Sequence, residues 1–123
     1  MRILILEDTD ERIQKFKQKL IGKIVVICKN ANECIKTLTF EPTFDYIFLD
    51  FDLIDNNGQY MGNGYDVADW IACNTEHAPN HILIHSLNNI GASKIMLRLG
   101  DVGLRAKYIP FLWNKIGNTN EPS

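Results

Sequence analysis

The sequence predicts an α/β domain built on a doubly wound, five-stranded parallel sheet. Three observations carry this expectation. Short apolar runs rich in β-branched and aromatic residues alternate with longer stretches of helical spacing. The runs are apolar at successive positions, as in strands covered on both faces. A chain of 123 residues, 46% of them hydrophobic, is enough for one full core and too short for two ordinary ones.

Strands are expected at Arg2 to Leu6, Lys23 to Cys28, Asp45 to Asp50, His81 to Ser86 and Ala106 to Ile109. Thr9, with Asp10 and Glu11, caps a first helix whose Ile13, Phe16 and Leu20 share one face, and Gly22 stops it. Asn30, with Glu33 three residues on, opens a second helix carrying Ile35 and Leu38, after which Pro42 and Thr43 turn the chain into the third strand. A third helix starts at Asn63-Gly64 with Val67, Trp70 and Ile71 inward, and a fourth runs from about Asn89 to Leu99 with Gly100 as its stop. The pattern then fails, because Phe111 to Ile116 spans only about one and a half turns. A fifth helix is therefore missing or vestigial, the domain is placed at residues 1–116, and residues 117–123 form a polar tail. Losing that helix bares apolar surface beside the fifth strand. Phe111 and Trp113 are its expected covers, either within the chain or in a homodimer through the fifth strand and residues 110–116.

Composition narrows the function. The 13 Lys and Arg against 15 Asp and Glu give a net charge of −2, so no basic field exists to hold DNA non-specifically. The longest apolar runs are strand-length, far below the roughly 20 residues that cross a bilayer. The start lacks the features of a signal peptide, so a cytoplasmic protein without a membrane partner is expected. Cys28, Cys34 and Cys73 are odd in number and show no C-x-x-C spacing, which reads as reduced, mostly buried thiols.

In an open parallel sheet the ligand crevice lies beyond the carboxyl ends of the strands. Glu7 and Asp8 follow the first strand, Asp50 and Asp52 the third, and Ser86 ends the fourth. Carboxylates gathered on one rim call for a cation, and the absence of thiolate or clustered imidazole donors favours Mg²⁺ or Mn²⁺ over zinc. Helix capping by Asp8 or Asp10, and a solvated turn for a strand-end Asp, are the alternative roles. Alternation sets His85 opposite Ser86, yet at a strand end it could donate a proton near neutral pH; a hydrogen-bonded structural role is equally open. Asn88, Asn89 and Gly91 start the fourth helix, where free amides and the dipole favour an anion and capping is the parallel reading. Pro79 interrupts the spacing of His77, His81 and His85, which argues against a histidine metal site.

Ile3-Leu4-Ile5-Leu6-Glu7-Asp8, Phe48-Leu49-Asp50, Asn63-Gly64-Tyr65-Asp66-Val67 and Ser86 together resemble the response-regulator receiver domain. The resemblance implies a flavodoxin-like receiver fold with Mg²⁺ on Glu7, Asp8, Asp50 and the Asp52 carbonyl, Asp50 as phosphoryl acceptor and nucleophile, and Ser86 in contact with the phosphoryl group. Asp50-Phe51-Asp52-Leu53, Gly64-Tyr65-Asp66-Val67-Ala68, His85-Ser86-Leu87-Asn88-Asn89-Ile90-Gly91-Ala92 and Tyr108-Ile109-Pro110-Phe111 are similar to a narrower group, the cyclic-phosphate-processing receiver-like family. That similarity implies a phosphate-containing ligand, a small molecule or an RNA end.

Three departures stand out. Ile109 takes the place of the receiver Lys, with Lys107 two residues earlier on the same strand face as its nearest substitute. Phe51 stands where the narrower family commonly has His. The interval from Asp50 to Asn63 is longer than in ordinary receivers, and Asn56, Asn57, Gly58 and Gly62 make it an expected flexible flap. Three functions stay open: a metal-dependent protein that binds or processes a phosphate ester, a phospho-accepting signalling receiver, and a degenerate receiver used as an interaction module. Asp50-x-Asp52 also matches a haloacid-dehalogenase-type pair, but on the third strand instead of the first.

Overall fold

The computed structural model describes residues 1–54 and 60–109. In chain order it comprises β1 (Arg2–Leu6), α1 (Asp10–Lys19), β2 (Ile24–Cys28), α2 (Ala31–Phe40), β3 (Tyr46–Leu49), β4 (Asp52–Ile54), β5 (Tyr60–Asn63), α3 (Gly64–Cys73), β6 (His81–Ile84), α4 (Asn89–Gly100) and β7 (Ala106–Tyr108), with a 3-10 turn at Thr75–His77. Five strands pair in parallel in the order β2-β1-β3-β6-β7. This is the flavodoxin-like doubly wound order, whose switch point lies between β1 and β3.

The period-two alternation of the strands divides the core. Leu4, Leu6, Ile47, Leu49, Ile82 and Ile84 face α2, α3 and α4, where they meet Cys34, Leu38, Val67, Ile71, Ile95 and Leu99. Ile3, Ile5, Phe48 and Leu83 face the other way, onto Phe16 and Leu20 of the α1 region, and Ile109 packs on that side. Both faces of each central strand are thus buried, which is why the strands read as unbroken apolar runs.

The helix starts follow the expected chemistry with differences in detail. The Asn30 side chain accepts the Glu33 N–H at 2.8 Å, while Glu33 reaches back to the Lys29 N–H at 3.0 Å, one residue beyond the usual capping box. Asn63 and Asp66 form a reciprocal box at the start of α3. Thr9 takes the N-cap position of α1 without a side-chain cap bond, leaving Asp10 and Glu11 to favour that end electrostatically. Gly22 has φ +87°, as a left-handed turn after α1 requires.

Several expectations need correction. Gly100 does not stop α4 but is its last residue; the left-handed turn falls at Gly103, φ +80°. The expected flexible flap is an antiparallel hairpin at its base, with Asp52 opposite Asn63 and Ile54 opposite Tyr60. Leu53, fully buried in the larger core, anchors it. Asn56, Asn57 and Gly58 lie outside the described residues, as do residues 110–123, and with them the missing fifth helix, the aromatic covers, the two-fold contact and the polar tail. Cys28 and Cys34 are buried, whereas Cys73 is exposed beside Arg98; all three are free thiols. Among the described residues no helix is long and apolar enough to cross a membrane.

Candidate functional site

The polar end of the sheet is written in the same alternation as the core. Glu7 continues the face of Ile3 and Ile5, Asp50 that of Phe48, and His85 that of Leu83, so all three point toward α1. The backbone ladder runs on past the strands to hold them side by side. Glu7 N–H donates to Cys28 O at 3.0 Å, Asp50 N–H to Leu6 O at 3.3 Å, and His85 N–H to Leu49 O at 3.0 Å. One ligand atom from each lies within 4.8 Å of the others, at the switch point of the sheet.

All three are buried: Glu7 and His85 are 0% exposed and Asp50 4%. Glu7 Oε2 accepts the N–H groups of Asp8 and Thr9, both at 3.0 Å, and Glu7 Oε1 lies 2.9 Å from His85 Nε2. Burial pushes the Glu7 carboxyl up, but His85, the Thr9 amide and Arg12 outweigh it and hold it below the usual value. Burial lowers the pKa of His85 more than Glu7 raises it. The pair is therefore a carboxylate accepting from a neutral imidazole whose Nε2 carries the proton. The His85 ring also packs edge-on against Phe16, centroids 5.1 Å apart. Asp50 contrasts with Glu7: burial, then the charge of Glu7, push it up to about 7, with Asp8 adding to the rise and Arg12 opposing it.

Arg12, which the sequence reading missed, completes the cluster. Its Nη1 is 3.6 Å from Glu7 Oε1 and 3.8 Å from Asp50 Oδ2. The available signal was a cation at the third position of a helix, the end where the dipole disfavours positive charge, directly behind an acidic pair.

Close backbone packing fixes Asp50. Gly64 N–H donates to Phe51 O at 2.9 Å, and a Cβ at Gly64 would collide with the Asp50 carbonyl, so α3 approaches this closely only with glycine there.

The other expected residues form a second group, at the start of α4. Ser86 is buried on the sheet face opposite His85, and its Oγ accepts the Asn88 N–H at 3.1 Å. Asn88 Oδ1 accepts the Gly91 N–H at 2.9 Å, and its Nδ2 donates to Asp52 Oδ2 at 3.3 Å. Tyr108 donates its hydroxyl to Asn89 Oδ1 at 3.0 Å. At Gly91 the capping role is present: the Asn88 side chain takes its amide, and the Phe51 ring packs where a Gly91 side chain would stand. The Asp52 carboxylate is turned toward Asn88, outside the Glu7-Asp50-His85 group. Lys107 pairs in register with Leu83, two residues short of His85, and is exposed. Asp8 is half-buried beside Glu7.

The donor set suits a hard divalent cation. It offers carboxylate oxygens rather than sulfur, the one imidazole is already committed to Glu7, and Glu7 and Asp8 add to burial in raising the Asp50 pKa, a repulsion that such an ion would relieve.

Residues 2–101 match the family model of the cyclic-phosphate processing receiver domain. No curated protein matches the chain. Among solved structures it is similar to the phosphorylated cyanobacterial phytochrome response regulator RcpA, with 17% identity over 98% of this chain and 91% of that one, TM-score 0.73. The Mn²⁺-bound form of response regulator Rcp1 is similar at 13% identity over 98% and 92%, TM-score 0.73. The response regulator TrrA from Thermotoga maritima, in complex with Mg²⁺ and a beryllium fluoride, is similar at 19% identity over 98% and 96%, TM-score 0.68. At these identities the likeness establishes a shared fold.

Proposed function

The chain belongs to the cyclic-phosphate processing receiver domain family, and from that premise we propose that it binds a phosphate ester at a divalent-cation site. The ligand we assign is a cyclic phosphate, on a nucleotide or at an RNA end. Glu7, Asp8 and Asp50 would hold Mg²⁺ or Mn²⁺, with the Asp52 carbonyl as a further ligand. The observation that carries this reading is the convergence of the buried Glu7 and Asp50 carboxylates at the switch point.

When bound, the ion would neutralise charge on the phosphoryl oxygens. Glu7 is the rigid part of the site, because His85 and two backbone amides fix its orientation. Asp50, held by the Gly64 approach, is the group in position to contact the phosphorus centre as nucleophile or to orient water. Asn88 ties Ser86 and Asp52 into the start of α4, which sets the wall of the crevice. His85, fully buried beneath Glu7, acts through that carboxylate.

Thermal shift tests the reading. Millimolar Mg²⁺ should raise the melting temperature, 2′,3′-cyclic nucleotides should raise it further only with metal present, and both shifts should vanish in Asp50→Ala. Failure of metal to shift the wild type would end the proposal. A second reading, a phospho-accepting signalling receiver, is favoured by the buried strand-end Asp50 in a fold shared with a phosphorylated response regulator. Ile109, in place of a phosphoryl-pairing cation, argues for poor acceptance. Stoichiometric, Asp50-dependent mass increase after incubation with acetyl phosphate would establish that second reading over the first.

A further inference from the structure

Arg12 bridges the two carboxylates that the preceding reading assigns to a divalent ion. Its Nη1 lies 3.6 Å from Glu7 Oε1 and 3.8 Å from Asp50 Oδ2. Both separations are longer than the ~2.7–2.9 Å of a tight charge-assisted hydrogen bond, so Arg12 offsets part of the charge of the pair through two long contacts.

The lone pairs of Glu7 sharpen the point. Two backbone amides occupy Oε2 and His85 occupies one side of Oε1, so the side facing Arg12 is what remains for a metal. A small divalent ion needs oxygen ligands at about 2.0–2.1 Å. It would share with the guanidinium the same carboxylate oxygens and repel it at a separation of a few ångströms in a buried setting. Ion and guanidinium are thus alternative occupants of one place.

The way out is also built in. Within the group of Glu7, Asp50, His85 and Arg12, the Arg12 side chain alone is substantially exposed, at 28% against 0% for Glu7 and 5% for Asp50. Moved outward, the guanidinium would face solvent beside the two carboxylates, and its planar fork matches phosphate oxygens. The strand that would otherwise deliver a cation does not. Ile109 packs into the α1-side core, and Lys107 is exposed two residues short of the His85 level.

We propose that Arg12 is a displaceable internal cation: it holds Glu7 and Asp50 together before a divalent ion enters, then presents its guanidinium to the phosphate of the ligand. The proposal rests on the metal and phosphate reading above, and the test separates the two. Mn²⁺ affinity is measured by electron paramagnetic resonance titration, and the affinity of 2′,3′-cyclic AMP in saturating Mn²⁺ by calorimetry, for the wild type, Arg12→Met and Arg12→Lys. Arg12→Met should bind Mn²⁺ at least threefold more tightly and the nucleotide at least tenfold more weakly. Arg12→Lys should return Mn²⁺ affinity toward wild type while recovering only part of the nucleotide affinity, because a point charge replaces the fork. If Arg12→Met does not fold, Arg12→Gln carries the same comparison. Unchanged or weaker Mn²⁺ binding in a folded neutral variant, or unchanged nucleotide affinity, overturns the proposal and leaves the metal reading standing. Mn²⁺ binding by the variant but not by the wild type supports Arg12 as the barrier and revises the functional reading. If neither binds Mn²⁺, both fall.

Discussion

Two polar regions meet at the carboxyl ends of the strands, and they are built on opposite principles. At the start of α4, Asn88 links Ser86, Gly91 and Asp52 by hydrogen bonds of neutral groups and one carboxylate, and Asn89 accepts from Tyr108. On the α1 side, Glu7, Asp50, His85 and Arg12 are well bonded but electrically unbalanced, with one carboxyl held low and its neighbour pushed up to about 7. A closed network stiffens a wall, whereas an unbalanced one stores an affinity for a counter-charge. The difference teaches that residues gathered by one motif can divide between scaffold and chemistry.

The largest expected effect comes from cutting the tie beneath the unbalanced cluster. His85→Leu removes the hydrogen-bond donor of a buried carboxylate, and a buried charged group left short of a partner costs about 3 kcal/mol or more. Urea unfolding measures it. A loss under about 1 kcal/mol would mean that the backbone amides and Arg12 suffice for Glu7, and would weaken the contrast between the two regions.

The charge surplus itself is tested through Asp50. Its folded pKa of about 7 lies above the ordinary 3.8, so the native state binds more protons than the unfolded one between those values. The contribution is full below about pH 4 and is lost as pH rises through 7. Asp50→Asn escapes it, so the variant should exceed the wild type in stability by on the order of 3 kcal/mol at pH 8, with the gap closing toward pH 4. His85, whose pKa is lowered by burial, pushes wild-type stability the opposite way below its ordinary 6.5, which is why the difference between proteins is the quantity to measure. Millimolar Mg²⁺ at pH 8 should narrow the gap by stabilising the wild type alone; a gap that ignores both pH and metal would refute the surplus.

A smaller loss should follow Gly64→Ala. The added methyl meets the Asp50 carbonyl, and overpacking of this kind costs about 1–3 kcal/mol. Because the strain falls on the Asp50 backbone, metal affinity should fall together with the melting temperature, whereas a purely structural glycine would lower only the latter.

The smallest effect belongs to the closed network. Asn88→Ala deletes the cap on Gly91 and the contact with Asp52, worth about 1 kcal/mol. Nucleotide affinity, read by calorimetry, should change by less than about twofold (~0.4 kcal/mol) if this region is wall. A tenfold loss would move Asn88 into the binding surface and erase the distinction.

The parallel sheet, helices α1 to α4 and the strand-end acids are legible in the sequence. Those rest on local pattern: unbroken apolar runs, capping residues such as Asn30 and Asn63, and carboxylates placed just after Leu6 and Leu49. Which of the polar residues share a face follows from the packing of distant segments. Alternation along β6 could say that His85 and Ser86 part company, but not that His85 joins Glu7, 78 residues away, because that depends on β1 and β6 both flanking β3 in parallel register. The same holds for Arg12, whose meaning depends on its lying 3.6 Å from Glu7 and 3.8 Å from Asp50, and for Asn88, whose side chain could cap a helix or meet a ligand until the Gly91 and Asp52 distances chose. Local propensity acts within a few residues. The site is made by neighbours in space, and the burial that raises Asp50 and lowers His85 is a property of the assembled core.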